Sequence, residues 1–385
     1  MASSRRSGGA DHHPIAARSR PVANVRSHCS ASVSAGGVVV YRPKSAMDAI
    51  DAYSRRLVDA LVDAGQPATY VPDGLPAVRR AAARPAWILL QYMPFAYGHW
   101  GIAPDLIRDA VALKRATGAM FGVMIHEAWV PMDDWRTCLM GAYQRLQLRC
   151  LLRVAADAIF VATESLGGVL DGPSVHVPVG SNITPNTTTR EAARDELGIG
   201  DELVVALFGA GHPHRALEHA EAALAALVDQ RGGDTLRVFN LGAGARRLRV
   251  PAELRVDTPG ELPAKDISLR LRASDLLLMT FADGVSTRRT TLMAGLAHAL
   301  PVVGLRGVNT DGVLLRHPEA LVLTPVGDQR AFARAVLDIT RDRQRLETAG
   351  SAARALYVNC FDWPVATDLL MTALGRGSKA GDESL

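Results

Sequence analysis

The sequence is poor in cysteine and has no long apolar run. Its 385 residues contain four cysteines, and none of them are in C-x-x-C spacing. This argues against a disulfide framework and against a paired-cysteine metal site, and it is typical of reduced structural thiols in a cytosolic protein. No apolar run approaches the roughly 18 residues that a transmembrane helix needs. The sequence therefore predicts a cytoplasmic protein without a membrane span.

The sequence also has only a small excess of positive charge. The formal net charge is +4 and the isoelectric point is about 9.0, which does not suggest a nucleic-acid-binding protein and mildly favours anions such as phosphates or lipid headgroups. Residues 1–34 are rich in Arg, Ser, Gly and Pro and have no apolar periodicity. We expect a disordered tail there because of this composition. The segment also lacks the apolar region of a signal peptide.

The chain is too long for one ordinary hydrophobic core. Hydrophobic residues make up 48% and charged residues 21% of it, as in globular proteins. Apolar strand patterns alternate with helical ones, which predicts an α/β fold of two Rossmann-like domains, residues 35–180 and 181–362. The boundary falls in a stretch rich in Pro, Gly, Asn and Thr near Ser181. Residues 363–376 are predicted to form a last helix, and residues 377–385 a loose tail.

The segment Ser274 to Asp311 carries the strongest functional signal. An apolar run ends at Asp283-Gly284, a helical pattern follows from Ser286 to Ala299, and Pro301 opens a second apolar run. Arg288 and Arg289 are then in the first helical turn, where cations are unfavourable. A bound anion such as a diphosphate would explain them, with the N–H groups of Val285, Ser286 and Thr287 pointing at it. The alternative is that both arginines face water and Ser286 only caps the helix.

Two loops in the first half present aromatic and polar side chains at strand ends. They are QYMPFAYGHWG, residues 91–101, and IHEAWVPMDDWR, residues 125–136. Loops at such positions commonly carry function. We place an acceptor cleft here, and a buried aromatic cluster and a strand-capping histidine are the alternatives. The candidate cleft residues are Tyr92, Tyr97, His99, Trp100 and Glu127, next to His126.

The segment with Asp283 resembles the donor site of the family 4-like retaining glycosyltransferases (glycosyl transferases group 1), which have the GT-B fold. The resemblance rests on the apolar strand, the DGVS turn, the Arg pair, HALPVV and the later Thr-Asp. It implies that Asp283, Gly284, Val285 and Ser286 hold the diphosphate and sugar of a nucleotide-sugar donor. The family's two glutamates, with seven residues between them, are missing. Their places fall on Asp283 and Thr291, or on Ser286 and Ala294, depending on the alignment.

The same resemblance covers residues 36–374 and assigns further roles. His126 matches the family histidine near the donor sugar, Arg215 the basic residue at the diphosphate, and Gly242 and Gly244 the loop near the base or ribose. The last helix resembles the closing helix that packs on the N-terminal domain. The implied activity is sugar transfer with retention of configuration, without a cofactor and without a metal. The alternatives are a sugar-nucleotide epimerase or hydrolase, and a non-catalytic protein that binds a nucleotide or partner.

A predicted helix from Arg136 to Val154 has one basic face. Arg145, Arg149 and Arg153 recur every four residues, opposite Leu139, Met140, Tyr143 and Leu146. This face could rest on anionic lipid at the inner membrane face or hold a phosphorylated acceptor. A solvated face is the simpler interpretation, since three arginines form a thin patch. The acceptor itself is left open among a sugar, a lipid-linked molecule and a small molecule.

Overall fold

The computed structural model describes residues 36–42, 49–72, 77–78, 85–211 and 214–382, with side chains up to residue 375. The predicted disordered tail, residues 1–34, lies outside these ranges, as do His212 and Pro213. All of the described residues belong to one compact unit. None of its described helices is both long and apolar enough to cross a membrane.

The first half of the chain forms a six-stranded parallel sheet in the order β2-β1-β3-β4-β5-β6. All residues of the central strand β3 are buried, because helices cover both faces of the sheet. The strands are β1 Val38–Tyr41, β2 Ala68–Val71, β3 Trp87–Tyr92, β4 Met120–Ile125, β5 Ala158–Val161 and β6 Val175–His176. The helices are α1 Ala49–Asp63, α2 Asp105–Thr117, α3 Trp135–Ala155 and α4 Glu164–Val169, with 3-10 turns at Pro94–Ala96 and His99–Gly101.

The second half forms another six-stranded parallel sheet, in the order β12-β11-β10-β7-β8-β9. Its strands are β7 Leu203–Phe208, β8 Leu236–Leu241, β9 Arg255–Asp257, β10 Leu276–Met279, β11 Val302–Arg306 and β12 Leu321–Pro325. Its helices are α5 Arg190–Glu196, α6 Leu217–Arg231, α7 Ala264–Ala273, α8 Thr290–Ala297, α9 Gly312–Leu315, α10 Gln329–Ile339 and α11 Arg343–Cys360, with a 3-10 turn at Gly233–Thr235.

The last helix, α12, runs from Trp363 to Asp382 and packs against α1, β5 and β6 of the first sheet. The predicted crossing back is therefore confirmed. The helix is longer than predicted, because residues 377–382 continue it instead of forming a loose tail. One apolar core cluster contains side chains from both halves, among them Leu57, Phe160, Leu277 and Trp363.

Candidate functional site

The candidate site lies at the carboxyl ends of β7, β8, β10 and β11. Two glycine-rich loops, residues 209–211 after β7 and 242–244 after β8, meet there, because Gly211 N donates to Ala243 O at 3.0 Å. A Cβ atom on Gly242 would collide with the backbone oxygen of Gly209. Gly242 is thus required for close packing of the two loops. Open parallel sheets bind ligands at this edge.

Arg215 is a buried cation with unused hydrogen-bond donors. It forms an antiparallel bridge with Phe281, and its side chain donates from Nη1 to Gly209 O at 3.2 Å. Only 5% of the residue is exposed, and its Nε and Nη2 atoms have no hydrogen-bond partner in the described part of the chain. Burial, and next the charge of Arg289, lower the pKa of Arg215 to about 10. A buried cation with unpaired donors is stabilised by a bound anion.

Asp283 holds the predicted arginine pair. Its carboxylate accepts from Arg288 Nη2 at 2.9 Å, from Arg289 Nη2 at 2.7 Å and from Asn309 Nδ2 at 3.1 Å. The guanidinium of Arg289 lies 4.1 Å from the ring centre of Phe281, and its Nε atom is buried without a partner among the described residues. Burial would raise the pKa of Asp283, but the Arg289 charge, the Asn309 hydrogen bond and Arg288 together hold it below its usual value.

The turn after Asp283 differs from the prediction. Helix α8 begins at Thr290, so Arg288 and Arg289 precede the helix rather than occupying its first turn. Two of the three N–H groups expected to face an anion are already bonded: Val285 N donates to Leu305 O at 2.9 Å and Thr287 N to Asp311 Oδ2 at 2.6 Å. These two N–H groups are therefore not available to an anion in this arrangement. The donor roles of Gly284, Val285 and Ser286 stay predictions.

The first half brings His126 and Glu127 to the same cleft. His126 follows β4, is 7% exposed, and its Nε2 lies 2.8 Å from Gln91 Oε1. Its ring stands edge-on to Tyr53 at 4.9 Å between ring centres. Glu127 is exposed, and its Oε1 lies 3.7 Å from Arg288 Nη1. The loop that carries Glu127 is thus joined across the cleft to the turn after Asp283 through Arg288.

The aromatic loop separates into a buried and an exposed part. Tyr92 is 0% exposed and stacks on Tyr97 at 5.7 Å, and the Tyr97 hydroxyl donates to Gln91 O. Burial raises the pKa of Tyr92 to about 12. Tyr92 is therefore part of the core, in keeping with the buried aromatic cluster that the sequence left as the alternative. Trp100, in contrast, is 62% exposed and stacks on His99.

The fold of this chain is similar to that of solved protein structures. No protein-family model matches the chain, and the comparison with curated protein sequences also finds no match. The chain is similar to the structure of sucrose-phosphate synthase from Thermosynechococcus elongatus, with a TM-score of 0.62 and 17% identity over 89% of this chain and 99% of that one. It is also similar to Alr3699/HepE from Anabaena in complex with UDP and glucose, with a TM-score of 0.59 and 13% identity over 91% of this chain and 100% of that one.

The chain has the GT-B fold. A third similar structure, a putative UDP-N-acetylglucosamine 2-epimerase from Listeria monocytogenes, has a TM-score of 0.55 and 16% identity over 91% of this chain and 98% of that one. The predicted two-domain α/β architecture is confirmed, whereas membership of family 4 stays a prediction. In the described ranges, no three His, Cys, Asp or Glu side chains are grouped closely enough to hold a metal ion.

A network of hydrogen bonds at the floor of the GT-B cleft was not foreseen from the sequence. The Thr287 hydroxyl lies 2.8 Å from Ala162 O, 2.9 Å from His176 Nε2 and 2.9 Å from Asp311 Oδ2. Asp311 Oδ1 accepts from Glu164 N at 2.6 Å, and Glu164 Oε2 accepts from Gly312 N at 2.7 Å. Asp311 of the second half therefore caps α4, and Glu164 of the first half caps α9. Of this network, the sequence analysis had pointed only to the Thr-Asp pair.

Replacement of Thr287 with valine tests this network. We expect the free energy of unfolding to fall by about 2 kcal/mol, because a fully buried hydroxyl leaves partners unsatisfied on both halves. Urea denaturation measures the loss, and Thr287→Ser restores most of it. Thr340→Val is the matched control, since that buried hydroxyl bonds only to its own helix. An equal loss in both variants would show that Thr287 has no special role between the halves.

Proposed function

We propose that the chain is a glycosyltransferase that moves a sugar from a nucleoside-diphosphate sugar to an acceptor. The observation that carries this proposal is a pair of guanidiniums, the buried Arg215 and the partly buried Arg289, which both lie over the ring of Phe281 and have buried nitrogen atoms without partners among the described residues. They lie at the sheet edge where GT-B proteins have their cleft. A diphosphate offers the acceptor oxygens that these donors lack.

The leaving diphosphate explains why the cations are arginines fixed in place. Negative charge develops on the diphosphate as the glycosidic bond breaks, so rigid donors there stabilise the transition state more than the ground state. Arg215, Arg288 and Arg289 would supply that charge in place of a metal ion. We propose metal-independent transfer with retention of configuration, in keeping with the family resemblance.

The remaining candidate residues divide between the two halves of the cleft. His126, held by Gln91 and Tyr53, would contact the sugar near the reacting carbon. Asp283 would act chiefly as a positioning residue, because both of its carboxylate oxygens accept hydrogen bonds from Arg289. Glu127, His99 and Trp100 are left as candidates for the acceptor, which would be a sugar, a lipid-linked molecule or a small molecule.

UDP-sugars are the donors to test first, because the similar Alr3699/HepE structure contains UDP and glucose. Release of UDP, GDP, ADP or dTDP from the corresponding sugars would be measured with a panel of acceptors, with and without EDTA. We expect release that requires an acceptor and is unaffected by EDTA. Nuclear magnetic resonance of the product then reports the anomeric configuration, and an inverted product would contradict the retaining assignment.

An epimerase is the second candidate, favoured by the similarity to the putative UDP-N-acetylglucosamine 2-epimerase. It predicts interconversion or hydrolysis of the nucleotide sugar in the absence of any acceptor. A non-catalytic protein is the third, favoured by the missing glutamates, and it predicts nucleotide binding without turnover. The same assay, run with and without an acceptor and with the remaining nucleotide sugar analysed for epimerisation, separates the three functions.

A further inference from the structure

Helix α3 turns an apolar stripe toward solvent. Trp135 is 74% exposed, Leu139 71% and Leu146 61%. The sequence predicted that Leu139 and Leu146 would lie opposite the arginines, but both leucines are exposed, as are Arg145 and Arg153. Exposed apolar side chains of this size are ordinary when they are scattered, but a row of them marks an interaction surface.

The exposed apolar residues form one continuous row. Trp135, Leu139, Ala142 and Leu146 are spaced by four, three and four residues, so they lie along one side of the helix, and all four are exposed. We call this row, together with the arginines beside it, the α3 face. It begins directly after the loop that carries Glu127 into the cleft.

The opposite side of α3 is fixed by two buried glutamines. Gln144 donates to Trp100 O at 2.7 Å and accepts from Val130 N at 2.9 Å. Gln147 donates to Gly101 O at 3.2 Å and accepts from Ala103 N at 2.8 Å. Both amides satisfy backbone groups of the neighbouring loops. The helix cannot rotate its apolar row inward without leaving those groups unpaired in the interior.

The charge on α3 has one sign. The helix of 21 residues contains four arginines and no aspartate or glutamate. Arg136 lies 5.2 Å from the ring centre of Trp135, and Arg145 lies 5.3 Å from that of Trp129. Arg149 pairs with Asp171 at 2.8 Å, and Arg153 is exposed. An apolar row bordered by arginines fits a surface that is apolar beneath an anionic layer.

We propose that the α3 face docks on the surface of an anionic lipid bilayer. Trp135, Leu139 and Leu146 would enter the headgroup boundary while the arginines contact lipid phosphates. Because α3 begins beside the Glu127 loop, docking would bring the mouth of the cleft close to the membrane surface. The proposal concerns where the chain binds and does not depend on the sugar transfer proposed above.

Co-sedimentation with lipid vesicles tests the docking. We expect the full chain to bind vesicles of phosphatidylcholine mixed with phosphatidylglycerol, to bind pure phosphatidylcholine much more weakly, and to be released by high salt. Arg145→Gln with Arg153→Gln should weaken the partition by about fivefold for each arginine. Leu139→Gln with Leu146→Gln should weaken it by at least about tenfold. Brominated lipid should quench the fluorescence of the native chain more than that of Trp135→Phe.

Control variants carry the same kinds of substitution at exposed residues of other helices. Val62→Gln with Val358→Gln, and Arg330→Gln with Arg345→Gln, should bind vesicles like the native chain, since these residues are exposed but lie on other helices. Nucleotide binding, measured in every variant, should be unchanged, which separates this proposal from the proposed transfer. Absence of binding to any vesicle, or equal binding to neutral and anionic vesicles, would overturn the proposal. A chain that self-associates but does not bind vesicles would also overturn the proposal if Leu139→Gln abolishes the self-association. A second copy of the chain would then cover the α3 face.

Discussion

Replacement of Arg215 with methionine is expected to weaken the binding of the nucleoside diphosphate by at least about 100-fold. The guanidinium is the most deeply buried cation at the sheet edge and has two nitrogen atoms without partners in the described structure. Loss of a charged partner in such a place costs about 2–5 kcal/mol of binding free energy, and each 1.4 kcal/mol is about tenfold in affinity. Calorimetric titration of the variant with UDP measures the loss.

The same substitution should not destabilise the nucleotide-free chain. A buried guanidinium with unpaired donors is a cost to folding, so we expect Arg215→Met to raise the free energy of unfolding by about 1 kcal/mol. Arg237→Met is the matched contrast. Arg237 is also 5% exposed and also lies over a phenylalanine ring, but it pairs with Asp257 at 2.7 Å.

We expect Arg237→Met to lower the free energy of unfolding by about 2 kcal/mol, because it removes the close ion pair with Asp257 and the hydrogen bond to Leu197 O, and to leave nucleotide affinity unchanged. Thermal unfolding with and without UDP measures both effects in both variants. Equal affinity for UDP in the native chain and in Arg215→Met would refute the assigned role of Arg215.

Replacement of Asp283 with asparagine should separate binding from turnover. The carboxylate holds Arg288 and Arg289 in place, and its negative charge opposes that of a diphosphate. We expect the affinity for UDP to rise by up to about tenfold, because that repulsion is removed. Turnover should fall by at least about 100-fold, because the arginines lose their fixed geometry. Steady-state kinetics and titration with UDP measure the two effects.

Asp338→Asn is a suitable control, since that carboxylate pairs with Arg341 on the surface of α10. A pH series adds an independent check. The pKa of Asp283 is lowered in the folded chain, so its ion pairs stabilise the fold above the carboxyl's ordinary pKa and are lost as the pH falls through the lowered value. Asp283→Asn should remove this part of the acid sensitivity. Unchanged turnover in Asp283→Asn would exclude a positioning role.

Much of the architecture could be predicted because its signals are local. Strands such as β3 and β10 are unbroken apolar runs bounded by turn residues, and they had to be buried on both faces of a parallel sheet. The position of Asp283 followed from the end of β10. Arg215 came from the family resemblance, and its burial beside Phe281 depends on a bridge between β7 and β10 exits that no local pattern shows.

The errors have a common physical cause, which is competition from distant partners. Thr287 N was expected to face an anion, but Asp311, 24 residues away, takes it as a donor. On α3 the helix was predicted correctly, but the exposure of Leu139 and Leu146 was not foreseen. Gln144 and Gln147 face inward because backbone groups of two loops need their amides, and hydrophobic periodicity contains no information about such groups.

Titration calorimetry with UDP, in the presence of EDTA, tests the central claim most directly. The unpaired donor atoms of Arg215 and Arg289 predict binding at one site in the native chain, unaffected by EDTA and lost in Arg215→Met but not in Arg237→Met. If GDP, ADP and dTDP are titrated as well and none of the four nucleotides binds the native chain, the assignment of this sheet edge as a donor site is contradicted.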